Sequence, residues 1–367
     1  MTKQKCITLL GRRDHPTDAI EEYCHYLGQA LVAHDFDLQI VRIDWSERGW
    51  LAAFRELRQL AGDLRDVWVF AQYTALAWSS RGFPTRFRRV LKILRHAGAH
   101  VAVVYHDVEP FGGQRLIDKV RRHRQVRVMR EALHISELAV FTVALEKISW
   151  LTTTNPQNVV FVPVGANFLP ARKEPEGITH SSPTTPLTIA VFGITGGDAG
   201  EQEVQSIAEA VRFVSPEIKN LRLVVLGRNS EAAEKQLRDA LRDVVLEIFV
   251  MGVLPSGDVA RALSTSHVLL FVRGQISTRR GSAIAGIACG LPIVAFAGPE
   301  TAPPITEAGI QFYSPEKKGD LGAALLRILK DRELRESLAE RSRRAQEQYF
   351  SWAAIAARYK EALQNNR

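Results

Sequence analysis

The chain contains 367 residues, more than one ordinary hydrophobic core requires, so two domains are expected. Hydrophobic residues make up 46% of the chain and charged residues 24%, as in globular proteins. No run approaches the roughly 20 apolar residues that span a bilayer, which excludes a membrane-spanning protein. The net charge of +8 is uneven, because Ser79 to Arg130 hold 13 Lys or Arg against three acids.

The N-terminal segment has one short apolar run, Ile7 to Leu10, which predicts a first strand. Because the core of a signal peptide needs about 7–15 apolar residues, we expect a cytoplasmic protein. The three cysteines, Cys6, Cys24 and Cys289, lack metal-ligand spacing and lie in apolar patterns. We therefore expect reduced packing residues and no metal site.

Apolar strand-like runs alternate with helical patterns through the first half, which predicts βαβ units and a covered parallel sheet. The predicted strands are residues 6–10, 38–43, 67–73, 100–106, 137–143 and 158–165. The predicted helices are at about 20–34, 50–61, 87–97, 119–130 and 144–151.

A proline-rich stretch, residues 169–186, has no hydrophobic period and predicts a linker between domains 1–168 and 187–345. A second α/β series follows, and we expect the C-terminal helix, within 346–367, to cross back to the first domain. The second-series strands are predicted at 187–193, 221–227, 246–252, 267–273 and 292–296. Its helices are predicted at 204–214, 232–244, 257–266, 283–288 and over most of 321–364.

In doubly wound folds, ligands bind beyond the carboxyl ends of the strands, so the residues after each predicted strand are candidates. After the first strand, Gly11 gives backbone freedom, and Arg12 and Arg13 supply charge; an ordinary capped turn is the alternative. After the fourth strand, His106 can bind a ligand hydroxyl. The following Asp107 or Glu109 would orient it or act as an acid–base pair.

Two loops of the second domain are suited to a phosphate. The loop at 193–200 is rich in glycine, so backbone amides can approach a ligand closely, with a flexible turn as the alternative. The loop at 273–282 carries Arg273, Arg279 and Arg280 into the start of a small-residue helix, where free N–H groups attract anions. A structural helix with solvent-facing arginines is the alternative there, and Arg228 adds a further cation after its own strand.

Several segments resemble family 4 glycosyltransferases of the GT-B fold. The segment ACGLPIVA resembles that family's small-residue helix, and HDVEP resembles its N-domain histidine motif. Further agreement in chain order comes from VFVPVGAN, LRLVVLG, MGVLPSGDVARALSTSHVLLF and YFSWAAIAARYKEAL.

The resemblance implies an α/β protein of the GT-B type, with two Rossmann-like doubly wound domains facing a central cleft. It implies an enzyme that moves a sugar from a nucleotide-diphosphate sugar to a glycan, lipid-linked or small-molecule acceptor, with retained configuration and no obligatory metal or cofactor. The implied catalytic residues are His106, Arg279 and Arg280, and the implied acceptor side is Arg12, Arg13, Asp107 and Glu109. The implied donor-binding residues are Gly193, Thr195, Gly196, Gly197, Arg228, Val253, Leu254, Ser277, Thr278, Gly281 and Ser282.

The sequence departs from that family at the donor site. The family usually places two glutamates around the donor, whereas the matching positions here are Ser277 and Ala285. Its usual basic residues are also missing from the 193–200 loop, and we expect Arg279 and Arg280 to replace their charge. A catalytically degenerate subunit that binds a nucleotide sugar or a partner is therefore the alternative.

The basic region predicts a contact surface of the first domain. A helix with Phe87 and Val90 on its apolar face carries Arg88 and Arg89 around it, and residues 119–130 form a second basic cluster. Such a surface suits anionic lipid headgroups at the inner face of a membrane or a phosphorylated acceptor, with a solvated helix face as the alternative. Nucleic acid is disfavoured, because no RNA- or DNA-binding motif accompanies the charge.

Overall fold

The computed structural model describes residues 3–151, 158–169 and 186–366. The chain divides into a first unit, residues 1–164 with 352–367, and a second unit, residues 165–351. Most of the predicted linker, residues 170–185, lies outside the described residues.

The first unit contains a six-stranded sheet in the order β2-β1-β3-β4-β5-β6, with every neighbouring pair parallel. Its strands are β1 (Gln4–Leu10), β2 (Phe36–Arg42), β3 (Trp68–Tyr73), β4 (His100–Tyr105), β5 (Leu138–Phe141) and β6 (Val159–Phe161). Its connecting helices are α1 (Ala19–Leu31), α2 (Trp45–Ala61), α3 (Phe87–His96) and α4 (Leu116–Ile135). Because helices cover both faces of a parallel sheet, its strands are continuous apolar runs, and β3 is buried along its whole length.

The second unit contains another parallel six-stranded sheet, in the order β12-β11-β10-β7-β8-β9. Its strands are β7 (Leu187–Phe192), β8 (Leu221–Leu226), β9 (Glu247–Gly252), β10 (Val268–Leu270), β11 (Ile293–Ala295) and β12 (Ile310–Phe312). Its helices are α5 (Asp198–Val214), α6 (Ser230–Ala240), α7 (Ser256–Ser264), α8 (Gly281–Ala288), α9 (Asp320–Lys330) and α10 (Arg332–Ala345). The predicted α/β class with two Rossmann-like sheets is confirmed.

The C-terminal helix α11 (Trp352–Asn365) packs within the first unit against α1. The hydroxyl groups of Tyr23 on α1 and Tyr359 on α11 form a buried hydrogen bond of 2.9 Å. Burial raises the pKa of both phenols well above the ordinary value, so both stay protonated at neutral pH. A π-helical turn, Gln346–Phe350, precedes this helix.

The helix predicted at residues 144–151 is wrong, because only the turn Leu145–Lys147 is helical there, with 3₁₀ geometry. The backbone N–H and the hydroxyl of Ser149 both donate to the Glu109 carboxylate, and the Trp150 indole donates to the carbonyl of Val108 at 2.7 Å. These bonds to the β4–α4 connection replace the i→i−4 bond of a helix.

The short strand β12 was not predicted from the sequence. It has three residues, too few to show a strand period, and it is defined by its parallel pairing with β11. Pairing with a distant segment is information that a local pattern lacks.

The Tyr23–Tyr359 bond predicts a measurable contribution of α11 to stability. Tyr359→Phe should lower the free energy of unfolding by about 1–2 kcal/mol, because the buried Tyr23 hydroxyl loses its partner. Urea unfolding measures the change. The double variant Tyr23→Phe with Tyr359→Phe should lose less than the sum of the single variants, and strict additivity would contradict the coupling.

Candidate functional site

The strand order of the second unit places a topological switch point between β7 and β10. Successive connections leave the sheet in opposite directions there, which opens a crevice at the carboxyl ends of these two strands. The loops that follow β7 and β10 contain the two segments predicted to bind phosphate, and the structure brings them together.

The first of these loops requires glycine because an arginine lies against its backbone. Gly193 has a φ of 77°, and a Cβ atom there would lie 2.9 Å from Nη1 of Arg273. Gly197, with a φ of 66°, precedes α5 at the N-cap position, and Gly196 and Gly197 are exposed. The loop therefore places two exposed glycines at the N-terminus of α5, beside a cation.

The buried carboxylate of Glu203 on α5 fixes the conformation of this loop. The Thr195 N–H and hydroxyl donate to its two oxygens, at 2.7 and 2.6 Å. Gly200 lets the start of α5 lie close to Thr195, because a Cβ at position 200 would lie 1.9 Å from the Thr195 carbonyl oxygen. Thr195, predicted to bind the donor, thus supports the loop. Sequence reasoning missed Glu203, whose only signal is an acid beside Val204 on the buried face of α5.

The loop after β10 contributes two partly buried guanidinium groups with free donors. Among the described residues, the Nε atoms of Arg273 and Arg280 are buried and have no hydrogen-bond partner. Burial lowers the pKa of Arg273. Burial, together with the charges of Arg279 and Arg273, lowers the pKa of Arg280 to about 10. Both groups stay protonated at neutral pH and are poised to bind an anion.

The neighbouring Arg279 has a different environment. Its Nε and Nη2 atoms donate to the two oxygens of Glu300, both at 2.7 Å, and the Glu300 side chain is 5% exposed. Ser277 donates to the same carboxylate at 3.2 Å. Burial by itself raises the pKa of Glu300, but the hydrogen bonds and the charge of Arg279 hold that pKa below its ordinary value. Sequence reasoning missed Glu300, which follows β11 in the loop beyond Phe296.

The remaining predicted donor residues surround the same sheet edge. Ser277 and Thr278 are buried, Gly281 is exposed with open space around it, and Ser282 is half-buried. As the first residues of α8, Gly281 and Ser282 have N–H groups without a partner inside the helix.

Two further loops follow β8 and β9. The Ile194 N–H donates to the Arg228 carbonyl at 3.0 Å, which joins the loop after β8 to the loop after β7. The Gly227 N–H donates to the Gly252 carbonyl at 2.6 Å, which joins the next loop in turn. Val253, which follows β9, is 43% exposed, and the adjacent Leu254 is half-buried.

In the first unit, His106 follows β4, and its ring contacts side chains from two elements. Its Nε2 lies 2.8 Å from Oε1 of Gln72 on β3, and the ring meets that of Tyr23 edge-on at 5.2 Å. Gln72 is buried and donates to Thr8 on β1, which contacts the Cys24 thiol of α1 at 3.3 Å. This buried polar chain fixes the imidazole, and sequence reasoning did not identify its members.

The predicted acceptor-side carboxylates bind backbone groups. Asp107 accepts the Ala75 N–H at 2.8 Å, and Glu109 accepts from Ser149 as described above. Both therefore shape the loop around His106, whose Nε2 partner is Gln72 and not a carboxylate.

The two predicted acceptor-side arginines differ in exposure. Arg13 is exposed and forms an ion pair of 2.8 Å with Glu21. Arg12 is half-buried, and its N–H donates to the Ala77 carbonyl at 2.8 Å. Gly11 allows this approach, because a Cβ there would lie 2.3 Å from the same oxygen.

No group of three or more His, Cys, Asp or Glu side chains suited to a metal ion occurs within residues 3–151, 158–169 and 186–366. No helix in the described part of the chain is long and apolar enough to cross a membrane.

Residues 190–331 match the sequence model of the family described as glycosyl transferases group 1. The matched segment lies within the second unit and contains the loops after β7, β8, β9 and β10. No curated protein matches the chain significantly.

Solved structures of similar fold cover nearly the whole chain. HepE from Anabaena, in complex with UDP and glucose, is 13% identical over 98% of this chain and 99% of its own, with a TM-score of 0.66. Sucrose-phosphate synthase from Thermosynechococcus elongatus is 17% identical over 99% and 98%, with a TM-score of 0.68. A putative UDP-N-acetylglucosamine 2-epimerase from Listeria monocytogenes is 14% identical over 99% and 96%, with a TM-score of 0.63. The family match and the fold together confirm the prediction of a GT-B glycosyltransferase.

The Arg279–Glu300 pair predicts a specific dependence of stability on pH. Because the pKa of Glu300 is lowered in the folded state, the pair stabilises the protein above the ordinary carboxyl pKa, and this contribution is lost as the pH falls through the lowered value. Glu300→Gln should lower the free energy of unfolding by about 3 kcal/mol at neutral pH, and the difference from the parent should shrink in acid.

Urea unfolding across the acid range measures both effects. Glu340→Gln is the matched control, since Glu340 pairs with Arg343 and Arg344 on the exposed face of α10 and should contribute less than about 1 kcal/mol. Equal losses in the two variants would contradict the assignment of a buried pair.

Proposed function

We propose that the protein transfers a sugar from a nucleotide-diphosphate sugar to an acceptor, and that Arg273 and Arg280 receive the diphosphate. The observation that carries the proposal is the pair of buried, unpartnered Nε atoms at the switch point of a group 1 glycosyltransferase domain. A diphosphate supplies the charge-assisted acceptors that these donors lack. The similar fold of HepE, solved with UDP and with UDP-glucose, makes a UDP-sugar the first donor to test.

Breaking the anomeric bond builds negative charge on the departing diphosphate. Preorganised cations and N–H groups in a water-poor site stabilise that charge more in the transition state than in the ground state. We assign this role to Arg280, Arg273 and the first N–H groups of α8, at Gly281 and Ser282. Gly193, Gly196 and Gly197 admit the donor, and Arg228 adds a cation beside them.

We assign Arg279 a positioning role, since both of its donors described above are directed to Glu300. The pair fixes the loop that carries Arg280 and leaves the charge of Arg280 for the ligand. Thr195 and Ser277 support the donor loops through their bonds to Glu203 and Glu300, and Thr278 is a donor contact of this proposal. Val253 with Leu254 offers an apolar surface for the base.

On the acceptor side, we propose that His106 positions a sugar hydroxyl or carbonyl through its ring. The polar chain through Gln72 and the edge contact with Tyr23 fix the imidazole orientation, which favours a directional contact. Asp107 and Glu109 shape this loop, and Arg12 offers charge to a glycan or lipid-linked acceptor. Retained configuration, membership of family 4 and transfer without a metal are parts of this proposal that rest on the sequence resemblance.

A nucleotide-sugar-binding subunit without turnover is the second candidate. The resemblance places the family's glutamates at Ser277 and Ala285, which are both buried here, and the Glu300 carboxylate that Ser277 contacts is neutralised by Arg279. The buried cations suit binding as well as catalysis, so turnover separates the two candidates.

Arg280→Ala should reduce donor cleavage by about a hundredfold, because one preorganised cation is removed from the developing charge. Release of nucleotide diphosphate from a panel of UDP-, GDP- and ADP-sugars measures the effect, and Arg280→Lys should retain part of the rate. Arg344→Ala, an exposed arginine on α10, is the matched control and should keep the parent rate.

Calorimetry with UDP separates the candidates. A parent protein that binds the nucleotide but cleaves none of the sugars supports the subunit, and an Arg280→Ala variant with full activity contradicts the assigned role.

His106→Ala should lower the rate of cleavage or transfer by about a hundredfold, with the affinity for UDP nearly unchanged. The reason is that His106 belongs to the first unit, whereas the donor loops belong to the second. Steady-state rates and UDP titration check this split, with His96→Ala on the exposed face of α3 as the control. A large loss of UDP affinity in His106→Ala would contradict the assignment.

A further inference from the structure

Three basic side chains of α3, predicted as part of a contact surface, make contacts within the first unit, although Arg89 and Arg95 remain exposed. Arg88 forms an ion pair of 2.5 Å with Glu131, and Arg95 pairs with Glu137. The guanidinium of Arg89 lies 4.4 Å from the ring centre of Phe54. The second predicted basic cluster, residues 119–130, overlaps an apolar surface of the same unit.

That surface is the apolar tip of the first unit, formed by Phe111 and the start of α4. Leu116 is 81% exposed, Ile117 and Val120 are each 52% exposed, and Phe111 is 50% exposed. The spacing of Leu116, Ile117 and Val120 places them as neighbours on the first turns of the helix. Exposed apolar side chains that cluster in this way mark an interaction site.

The apolar tip is held firmly on the first unit. The Phe111 N–H donates to the buried Gln125 side chain at 2.7 Å, and the Arg121 guanidinium lies over the rings of Phe111 and Phe83 at 5.0 and 5.5 Å. Asp118 is buried and pairs with Arg121 at 2.6 Å. These contacts fix the apolar tip against the first unit, and Asp118, the one acid of residues 111–130, is buried among them.

The charge around the tip is strongly positive. Residues 111–130 contain seven Lys or Arg and a single acid, Asp118. Lys119, Arg122 and Arg124 are exposed and form no ion pair with any other residue of the described chain. Exposed cations thus lie on the same helix as the apolar tip, and the only acid of residues 111–130, Asp118, is buried.

We propose that the apolar tip inserts into the headgroup region of an anionic lipid bilayer, with Lys119, Arg122 and Arg124 on the lipid phosphates. Apolar side chains gain by leaving water for the acyl boundary, while basic residues beside them are attracted to anionic headgroups. A bound nucleic acid would contact the cations but leave Leu116, Ile117 and Val120 in water. A bilayer contacts both the cations and the apolar side chains, so it fits this surface better. The proposal is independent of the donor and of turnover.

Co-sedimentation of the full chain with vesicles tests the proposal. We expect binding to mixed phosphatidylcholine and phosphatidylglycerol vesicles at about 0.15 M salt, and at least tenfold weaker binding to pure phosphatidylcholine. Leu116→Ser with Val120→Ser should weaken binding by at least tenfold, and Lys119→Gln with Arg122→Gln by roughly ten- to thirtyfold.

Helix α2 of the same unit offers matched controls. Leu51 is 85% exposed, and Arg55 and Arg58 are exposed, so Leu51→Ser and the pair Arg55→Gln with Arg58→Gln remove equivalent groups away from the tip. Both controls should bind like the parent. Thermal unfolding should be unchanged in all four variants, because the substituted side chains are exposed.

A fluorescent probe distinguishes insertion from adsorption. The three native cysteines are free and buried, so Leu116→Cys provides one exposed thiol for an environment-sensitive dye, and Leu51→Cys provides the control. Dye at position 116 should shift to the blue on anionic vesicles, and dye at position 51 should not.

Three results would overturn the proposal. The first is a parent chain that does not bind anionic vesicles. The second is a Leu116→Ser with Val120→Ser variant that binds anionic vesicles like the parent, because binding would then be electrostatic adsorption without insertion. The third is a dye at position 116 that stays in water on the vesicle but is shielded by a protein or an oligonucleotide.

Discussion

The burial of cationic side chains at one sheet edge is the constraint on which the second unit depends. A guanidinium removed from water without an acceptor is costly, and Arg273 and Arg280 each keep a buried Nε without a partner in the described residues. The backbone around them accommodates these groups, since Gly193 and Gly274 both have positive φ values and lie against the two guanidinium groups. A site that keeps such charges unpaired is organised for an anionic ligand.

Two buried carboxylates keep this edge rigid without neutralising it. Glu300 takes up the charge of Arg279, and Glu203 holds the loop after β7 through Thr195. The arginines therefore differ in role because a carboxylate pairs with Arg279 and leaves the Nε atoms of Arg273 and Arg280 without a partner in the described residues.

The connection between β4 and α4 links the two functional proposals of the first unit. It starts at His106, whose ring is fixed by Gln72 and Tyr23. It ends at the apolar tip, which includes Phe111 and the first turns of α4. Asp107 and Glu109 tie the intervening backbone to the core. If the tip inserts into a bilayer, a lipid-linked acceptor meets the first unit on the segment that carries the histidine.

Much of the fold was predictable because it follows from local pattern. Continuous apolar runs between helical periods indicate parallel strands, and the positions of Gly193 and His106 directly after a strand follow from them. The helix at residues 144–151 failed because bonds from Ser149 and Trp150 to a distant loop compete with helical bonds. The strand β12 was missed because its pairing with β11 defines it.

The sequence by itself determined the class of fold, the order of its elements and which loops carry cations and glycines. Only the tertiary structure decided that, among the described residues, Arg279 is paired while the Nε of Arg280 is not, that Gln72 holds His106, and that Phe111 and the start of α4 form an exposed apolar tip. The physical reason is that charge pairing and burial depend on residues far apart in the chain. Glu300 lies 21 residues beyond Arg279, and Gln72 lies 34 residues before His106.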